Sequence, residues 1–82
     1  MVEKRELLNK QLVRFSERFH LTKRETELWE AIFLFGYSNK ELAETYYITE
    51  KTVKCHIANM LQKTNSATTR KLMSKFIREF LI

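Results

Sequence analysis

Proline is absent from the 82 residues, and glycine occurs once, at Gly36. A chain so poor in breakers, and supplied with Leu, Lys, Glu and Ala, favours helices over strands. The single cysteine, Cys55, excludes an internal disulfide framework and fits a reducing compartment. No window approaches the roughly 20 consecutive apolar residues that a spanning helix needs. The greasiest stretch, FIREFLI at 76–82, is interrupted by Arg78 and Glu79. The N-terminus, MVEKRELLNKQL, is charged and has no apolar run, so it does not read as a signal peptide. These absences predict a cytoplasmic protein with no membrane partner.

Hydrophobic residues make up 44% of the chain and aromatics 12%, enough for one compact core in one small domain. Lysine and arginine total 15 against 10 acidic residues, for a net charge of +5. A basic domain of this size attracts polyanions, nucleic acid or an anionic membrane surface, although the same charge also serves solubility.

Hydrophobic periodicity predicts five helices. Residues 3–19 carry Leu8, Leu12, Phe15 and Phe19 at helical spacing, and the chain then turns around His20 and Leu21. Thr22 and Glu25 have the spacing of a capping box, which opens a helix over 23–35. Leu28, Ile32 and Phe35 share one face of it, and Gly36 supplies the stop. Ser38 and Glu41 repeat the box before a short helix over 39–46, with Leu42, Ala43 and Tyr46 inward. Thr49 caps a fourth helix, with Glu50 at the positive end of its dipole. Val53, Ile57, Met60 and Leu61 form its buried stripe. The polar stretch TNSAT at 64–68 ends it. A last helix, starting near 67–69, carries Leu72, Met73, Phe76, Ile77, Phe80 and Leu81.

The informative segment is SNKELAETYYITEKTVKCHI at 38–57. A short helix, a tight connection and a second helix make a DNA-reading unit whose second helix enters the major groove. With Val53 at zero on a wheel of about 100° per residue, Lys51, Cys55, Ala58 and Gln62 fall on the side away from the buried stripe. Lys54 and Asn59 flank them. Small residues permit close approach, Lys reaches phosphate or guanine acceptors, and Asn or Gln can pair with adenine. A merely solvated helix face is the competing reading.

Other chemistry finds little support. Two histidines and one cysteine, scattered, make no metal site. Cys55 and His56 are sequence neighbours, so on a helix their side chains diverge by about 100°, the wrong geometry for a thiol–imidazole pair. His56 lies beside the buried stripe, as a phosphate contact or a packed histidine. Trp29, Phe33, Tyr37, Tyr46 and Tyr47 read as core rather than as a base-stacking set. No enzyme activity and no cofactor are expected.

Residues 21–63 resemble the LuxR/GerE/FixJ-type helix-turn-helix domain through LTKRETEL at 21–28, SNKELAE at 38–44 and ITEKTVKCHIANMLQK at 48–63. Three features depart from the family pattern. The stretch between the first two boxes is one residue longer, Thr64-Asn65-Ser66 replaces the usual turn, and Thr69 stands where an arginine is common. The resemblance implies an all-α, small helical bundle: a four-helix domain containing the helix-turn-helix, at 21–82, plus an extra N-terminal amphipathic helix at 1–20. It implies a bacterial transcription regulator that reads double-stranded DNA with residues 50–63. Lys54, Cys55 and Ala58 match positions that face bases. Lys51, Thr52 and Asn59 match phosphate or groove-edge positions, and Ser38, Asn39 and Lys40 match the helix start that touches backbone. Thr49 and Lys63, at the two ends of the reading helix, complete the expected DNA-binding set.

The family's last helix usually forms the dimer contact. The broad stripe here predicts a homodimer through Met73, Phe76, Ile77, Phe80 and Leu81, aided by Phe15 and Phe19. Leu72, Met73 and Phe76 are expected mainly inward. RNA polymerase or another regulator is a further expected partner. The chain reads as a standalone small regulator or as a C-terminal domain cut from a longer one, and the initial Met and the organised N-terminal helix favour the first. The alternative from another class is a small helical interaction protein that pairs with a larger regulator and modulates it.

Overall fold

The computed structural model describes residues 4–82. The described residues form five α-helices and one terminal π-turn: α1 (Lys4–Arg18), α2 (Lys23–Phe35), α3 (Asn39–Tyr46), α4 (Glu50–Lys63), α5 (Thr69–Phe76) and the π-turn Ile77–Leu81. No strand occurs among them. The predicted first helix started at residue 3, which lies outside the described residues.

The helix starts follow from the caps. Thr22 N–H donates to Glu25 Oε1 at 2.8 Å, and Glu25 N–H returns to Thr22 Oγ1 at 3.1 Å. Ser38 and Glu41 make the same reciprocal pair at 2.9 and 3.2 Å. Each box satisfies two backbone donors that the first turn leaves without partners. Gly36 ends α2 in the left-handed region at φ 66°, and its N–H bonds the Ile32 carbonyl. His20 (φ 55°) and Asn65 (φ 54°) make the corresponding reversals after α1 and α4. Asn65 thus does the work of a turn glycine.

One core unites all five helices. Leu12 and Phe15 of α1, Leu28 and Trp29 of α2, Leu42 of α3, Val53 and Met60 of α4, and Leu72 and Phe76 of α5 are fully or almost fully buried. Its centre is aromatic. Phe15 lies 5.3 Å from Trp29, 5.2 Å from Phe76 and 5.3 Å from Phe80, and the two contacts with Phe76 and Phe80 are edge-to-face. Such pairs add about 0.5–1.5 kcal/mol each beyond area burial. The N-terminal helix is therefore part of the core and closes over α5 and the π-turn.

That closure corrects the expected dimer stripe. Phe76 is fully buried, and Phe80 stacks on it at 5.7 Å while meeting Phe15 and Arg18 of the same chain. Phe15 and Phe19 are likewise spent on the core. The reason is that α1 covers this end of the chain through Phe15 and Arg18. The helix does not continue as α beyond Phe76; Ile82 N–H bonds the Ile77 carbonyl five residues back. Phe80 keeps the face of Phe76, one turn on, while Ile77, Leu81 and Ile82 are exposed.

Two further expectations change. Phe35, placed inward with Leu28 and Ile32, is 58% exposed. The apolar side of α2 runs instead through Trp29 to Phe33, which packs on Phe76 at 4.8 Å. Tyr47, read as core, is 95% exposed at the turn between α3 and α4.

Candidate nucleic-acid interface

The turn between α3 and α4 sets the direction of α4. Tyr47 adopts φ 56° and donates its N–H to the Ala43 carbonyl. Ile48 N–H reaches the same carbonyl at 3.0 Å, while its side chain packs on the core. A left-handed residue reverses the chain in two steps, so α4 starts at an angle to α3. Thr49 caps it: Oγ1 accepts from Thr52 N–H at 3.1 Å and hydrogen-bonds the Thr52 hydroxyl at 2.9 Å.

Val53 and Met60 are fully buried, and Ile57 and Leu61 pack half-buried beside them. That fixes the rotation of α4 about its axis. Lys51, Lys54, Cys55, Ala58, Asn59 and Gln62 all face solvent. Among the described residues no carboxylate lies within ion-pair distance of Lys51 or Lys54. After Glu50 the strip holds no acidic side chain. It therefore presents two free cations, two small side chains and two amides in a row. Lys40 and Asn39 stand at the start of α3, Lys40 exposed and Asn39 half-buried. Thr52 and His56 are half-buried at the edge of the strip. Ser38 and Thr49 are exposed, the Ser38 hydroxyl accepting the Glu41 N–H and the Thr49 hydroxyl bonding both Thr52 groups.

Lys63 stands apart from the set expected to touch DNA. Its ammonium is 2.6 Å from Glu25 Oε1 and 3.3 Å from the His20 carbonyl. Glu25 is 2% exposed, so this cation answers a buried carboxylate rather than a solvent-facing anion. Burial pushes the Glu25 carboxyl up. The Lys63 and Thr22 hydrogen bonds and the Lys63 charge outweigh it and hold Glu25 below the ordinary carboxylate range. The capping spacing of Thr22 and Glu25 was legible in the sequence. The partner 38 residues away carried no local signal.

The next turn is pinned similarly. Thr64 is fully buried, and its hydroxyl donates to the Met60 carbonyl at 2.8 Å. Lys75 of α5 donates to the Thr64 carbonyl at 3.0 Å. The C-terminal end of α4 is thus held by side chains of α2 and α5.

The apolar residues left for a partner are fewer than expected. Met73 is half-buried and Ile77 is exposed; with Arg70, Ser74 and Arg78 they line a shallow groove along α5. Among the described residues, no group of three or more His, Cys, Asp or Glu side chains could hold a metal ion. No described helix is long and apolar enough to cross a membrane.

Comparison with known proteins agrees with this geometry. Residues 20–76 match the family model for bacterial regulatory proteins of the luxR family, GerE. The transcriptional regulatory protein DegU of Brevibacillus brevis is 51% identical over 45 residues, covering 55% of this chain and 19% of DegU. LnrK, a transcriptional regulatory protein of Bacillus subtilis, is 46% identical over 48 residues, 58% of this chain and 21% of LnrK. The response regulator protein VraR of Staphylococcus aureus is 49% identical over 43 residues, 52% of this chain and 20% of VraR. The aligned part is about a fifth of the length of these relatives. No solved structure gives a significant match. The matched span covers α2 to α5, both capping boxes and the whole reading helix, in a family of regulatory proteins rather than of enzymes: the chain belongs to the luxR family of bacterial regulatory proteins.

Proposed function

We propose that this protein is a sequence-specific DNA-binding transcriptional regulator whose α4 enters the major groove. The observation that carries the reading is the outward strip of α4, where Lys51, Lys54, Cys55, Ala58, Asn59 and Gln62 are exposed on a helix whose opposite side is locked in the core. Lys54, Cys55 and Ala58 face bases. Lys51 and Asn59 serve the groove edge, and Asn39, Lys40 and the backbone of the capped α3 start meet phosphate. The luxR-family relatives named for transcriptional regulation support this reading.

Binding is as a homodimer on a roughly palindromic site, with two reading helices about one DNA turn apart. Phe76 and Phe80 are taken by the core, so the pairing surface reduces to Met73, Ile77 and Leu81 on the outside of α5 and the π-turn. RNA polymerase or another regulator is the partner through which a bound dimer would act, in the cytoplasm. Selection of bound duplexes from a random pool tests the reading. Recovery of a half-site repeated with two-fold symmetry supports it, and recovery of no preferred sequence contradicts it. The competing reading, an interaction module, would leave the α4 strip dispensable for function.

A further inference from the structure

Residues 64–82 hold Arg70, Lys71, Lys75 and Arg78 against Glu79 alone, three of the chain's five net positive charges. None of these cations belongs to the set assigned to DNA. Lys71, Lys75 and Arg78 follow one another at i, i+4 and i+7 along α5 and the π-turn. With Asn65, Ser66 and Ser74 they line a second open groove, of about 440 Å³. Glu79 borders it too, but its carboxylate lies 3.9 Å from Arg18. Among the described residues no carboxylate stands within ion-pair distance of Lys71, Lys75 or Arg78. Like charges three and four residues apart repel on a helix surface, so an anion in this groove relieves the stripe.

The groove continues α4 past its last turn. Asn65 and Ser66 directly follow the Thr64 cap of α4, and Lys75 Nζ donates to the Thr64 carbonyl at 3.0 Å. The major groove of B-DNA is about 12 Å wide, whereas the 14 residues of α4 span about 21 Å. A helix that crosses the groove therefore runs past the bases to a phosphate strand. On the α3 side Asn39 and Lys40 answer phosphate. At the other end Lys63, the cation of α4 itself, is held by Glu25 at 2.6 Å. The unpaired positive charge there is that of α5. Around the axis of α5, Lys71 and Lys75 lie about 40° apart and Met73 about 160° from Lys71. Pairing of two copies on the Met73 side leaves Lys71 open to a ligand.

We propose that the groove of Lys71, Lys75 and Arg78 binds the sugar–phosphate backbone of DNA beside the half-site under α4, adding affinity without sequence preference. The proposal rests on the reading of α4 as the helix that enters the major groove. Lys71 and Arg78 are exposed and reach phosphate oxygens, and Asn65 and Ser74 add hydrogen bonds. Lys75 is half-buried, tied to the Thr64 carbonyl and 5.3 Å from the Phe19 ring, so it adds its charge from a fixed place. An acidic protein segment carries the same kind of charge, but the continuity of the groove with the end of α4 favours the duplex.

The test measures affinity of the full chain against salt, for a duplex selected from a random pool and for a scrambled duplex of the same length. Lys71→Ala and, separately, Arg78→Ala are expected to weaken both duplexes by the same factor. Each should lower the log–log salt slope by about 1, and Lys71→Arg should restore it. Melting temperature and the number of protomers per duplex should match wild type. Variants equal to wild type in slope and affinity, or variants that lose preference between the two duplexes, would overturn the proposal. So would a loss of affinity that comes with fewer protomers per duplex, which would assign these residues to pairing. A Glu-rich peptide that shifts amides over residues 65–78 while the duplex stays bound would identify an acidic protein as the occupant and overturn it as well. Lys54→Ala, run alongside, separates the two readings, since it should relax preference on its own. Relaxed preference there with no effect of Lys71→Ala sinks the groove alone, and a chain that binds neither duplex sinks both.

Discussion

Lys63 Nζ stands 2.6 Å from Glu25 Oε1, joining the last turn of α4 to the capped first turn of α2. Glu25 thereby holds two jobs, accepting the Thr22 N–H and neutralising Lys63. Replacing it by Gln preserves an acceptor for Thr22 but leaves Lys63 without its charge partner. Glu25→Gln should lower stability by about 1–3 kcal/mol, measured by urea unfolding.

The pH dependence of the same pair has a defined sign. The folded-state pKa of Glu25 is depressed, so its contribution is present above the unfolded carboxylate pKa and is lost as pH falls through the folded value. Glu30 acts oppositely: burial and Glu27 raise its pKa, so protonation relieves it as pH falls through that raised value. Unfolding followed from pH 7 to 3 should show wild-type stability falling at the acid end. Glu25→Gln should flatten that fall, and Glu30→Gln should steepen it.

Phe15 anchors the N-terminal helix to the centre of the core, and it lies outside the span shared with the family. Phe15→Ala should cost about 3–5 kcal/mol, a large part of the margin of a small domain. Thermal unfolding should show it. Removing residues 1–20 should leave Trp29 and Phe76 uncovered and abolish cooperative unfolding, even though the helix-turn-helix is intact in sequence.

The helices and their starts were legible because capping is local. Thr22, Ser38 and Thr49 each bond an amide three residues on, so spacing alone locates them. The rotation of α4 was legible too, since Val53 and Met60 mark its buried side. The C-terminus was not. Its place near the chain end, where little core is expected, reads Phe80 as outward, but α1 supplies that core through Phe15, 5.3 Å from Phe80. Phe35 misled for a related reason, because periodicity cannot say where the neighbouring helices stop covering a face. The Lys63–Glu25 pair spans most of the domain and leaves no periodic trace.

The proposed dimer rests on exposed residues that the core does not use. Ile77→Glu should give a folded monomer that binds a full operator much more weakly, because one half-site supplies too few contacts. Sedimentation of wild type and variant, with and without operator, checks it. Phe80→Glu should instead unfold the chain by placing a charge against Phe15 and Phe76.

Cys55 offers a probe of the proposed groove face. It is exposed beside Lys54 and Ala58. A bulky thiol adduct should abolish DNA binding while leaving the circular dichroism spectrum unchanged, and Cys55→Ser should bind normally. Modified protein that binds as well as unmodified protein would remove Cys55 from the interface.

The central claim is that the Lys51–Gln62 strip of α4 meets DNA. The most direct test is duplex affinity measured against salt for the wild type, Lys51→Ala and Lys54→Ala. The wild type should lose affinity steeply and linearly on a log–log plot, and Lys51→Ala should reduce the slope by about 1. Lys54→Ala should cost about 1–3 kcal/mol and relax sequence preference. A flat salt dependence, or variants indistinguishable from wild type in slope, affinity and preference, would contradict the account.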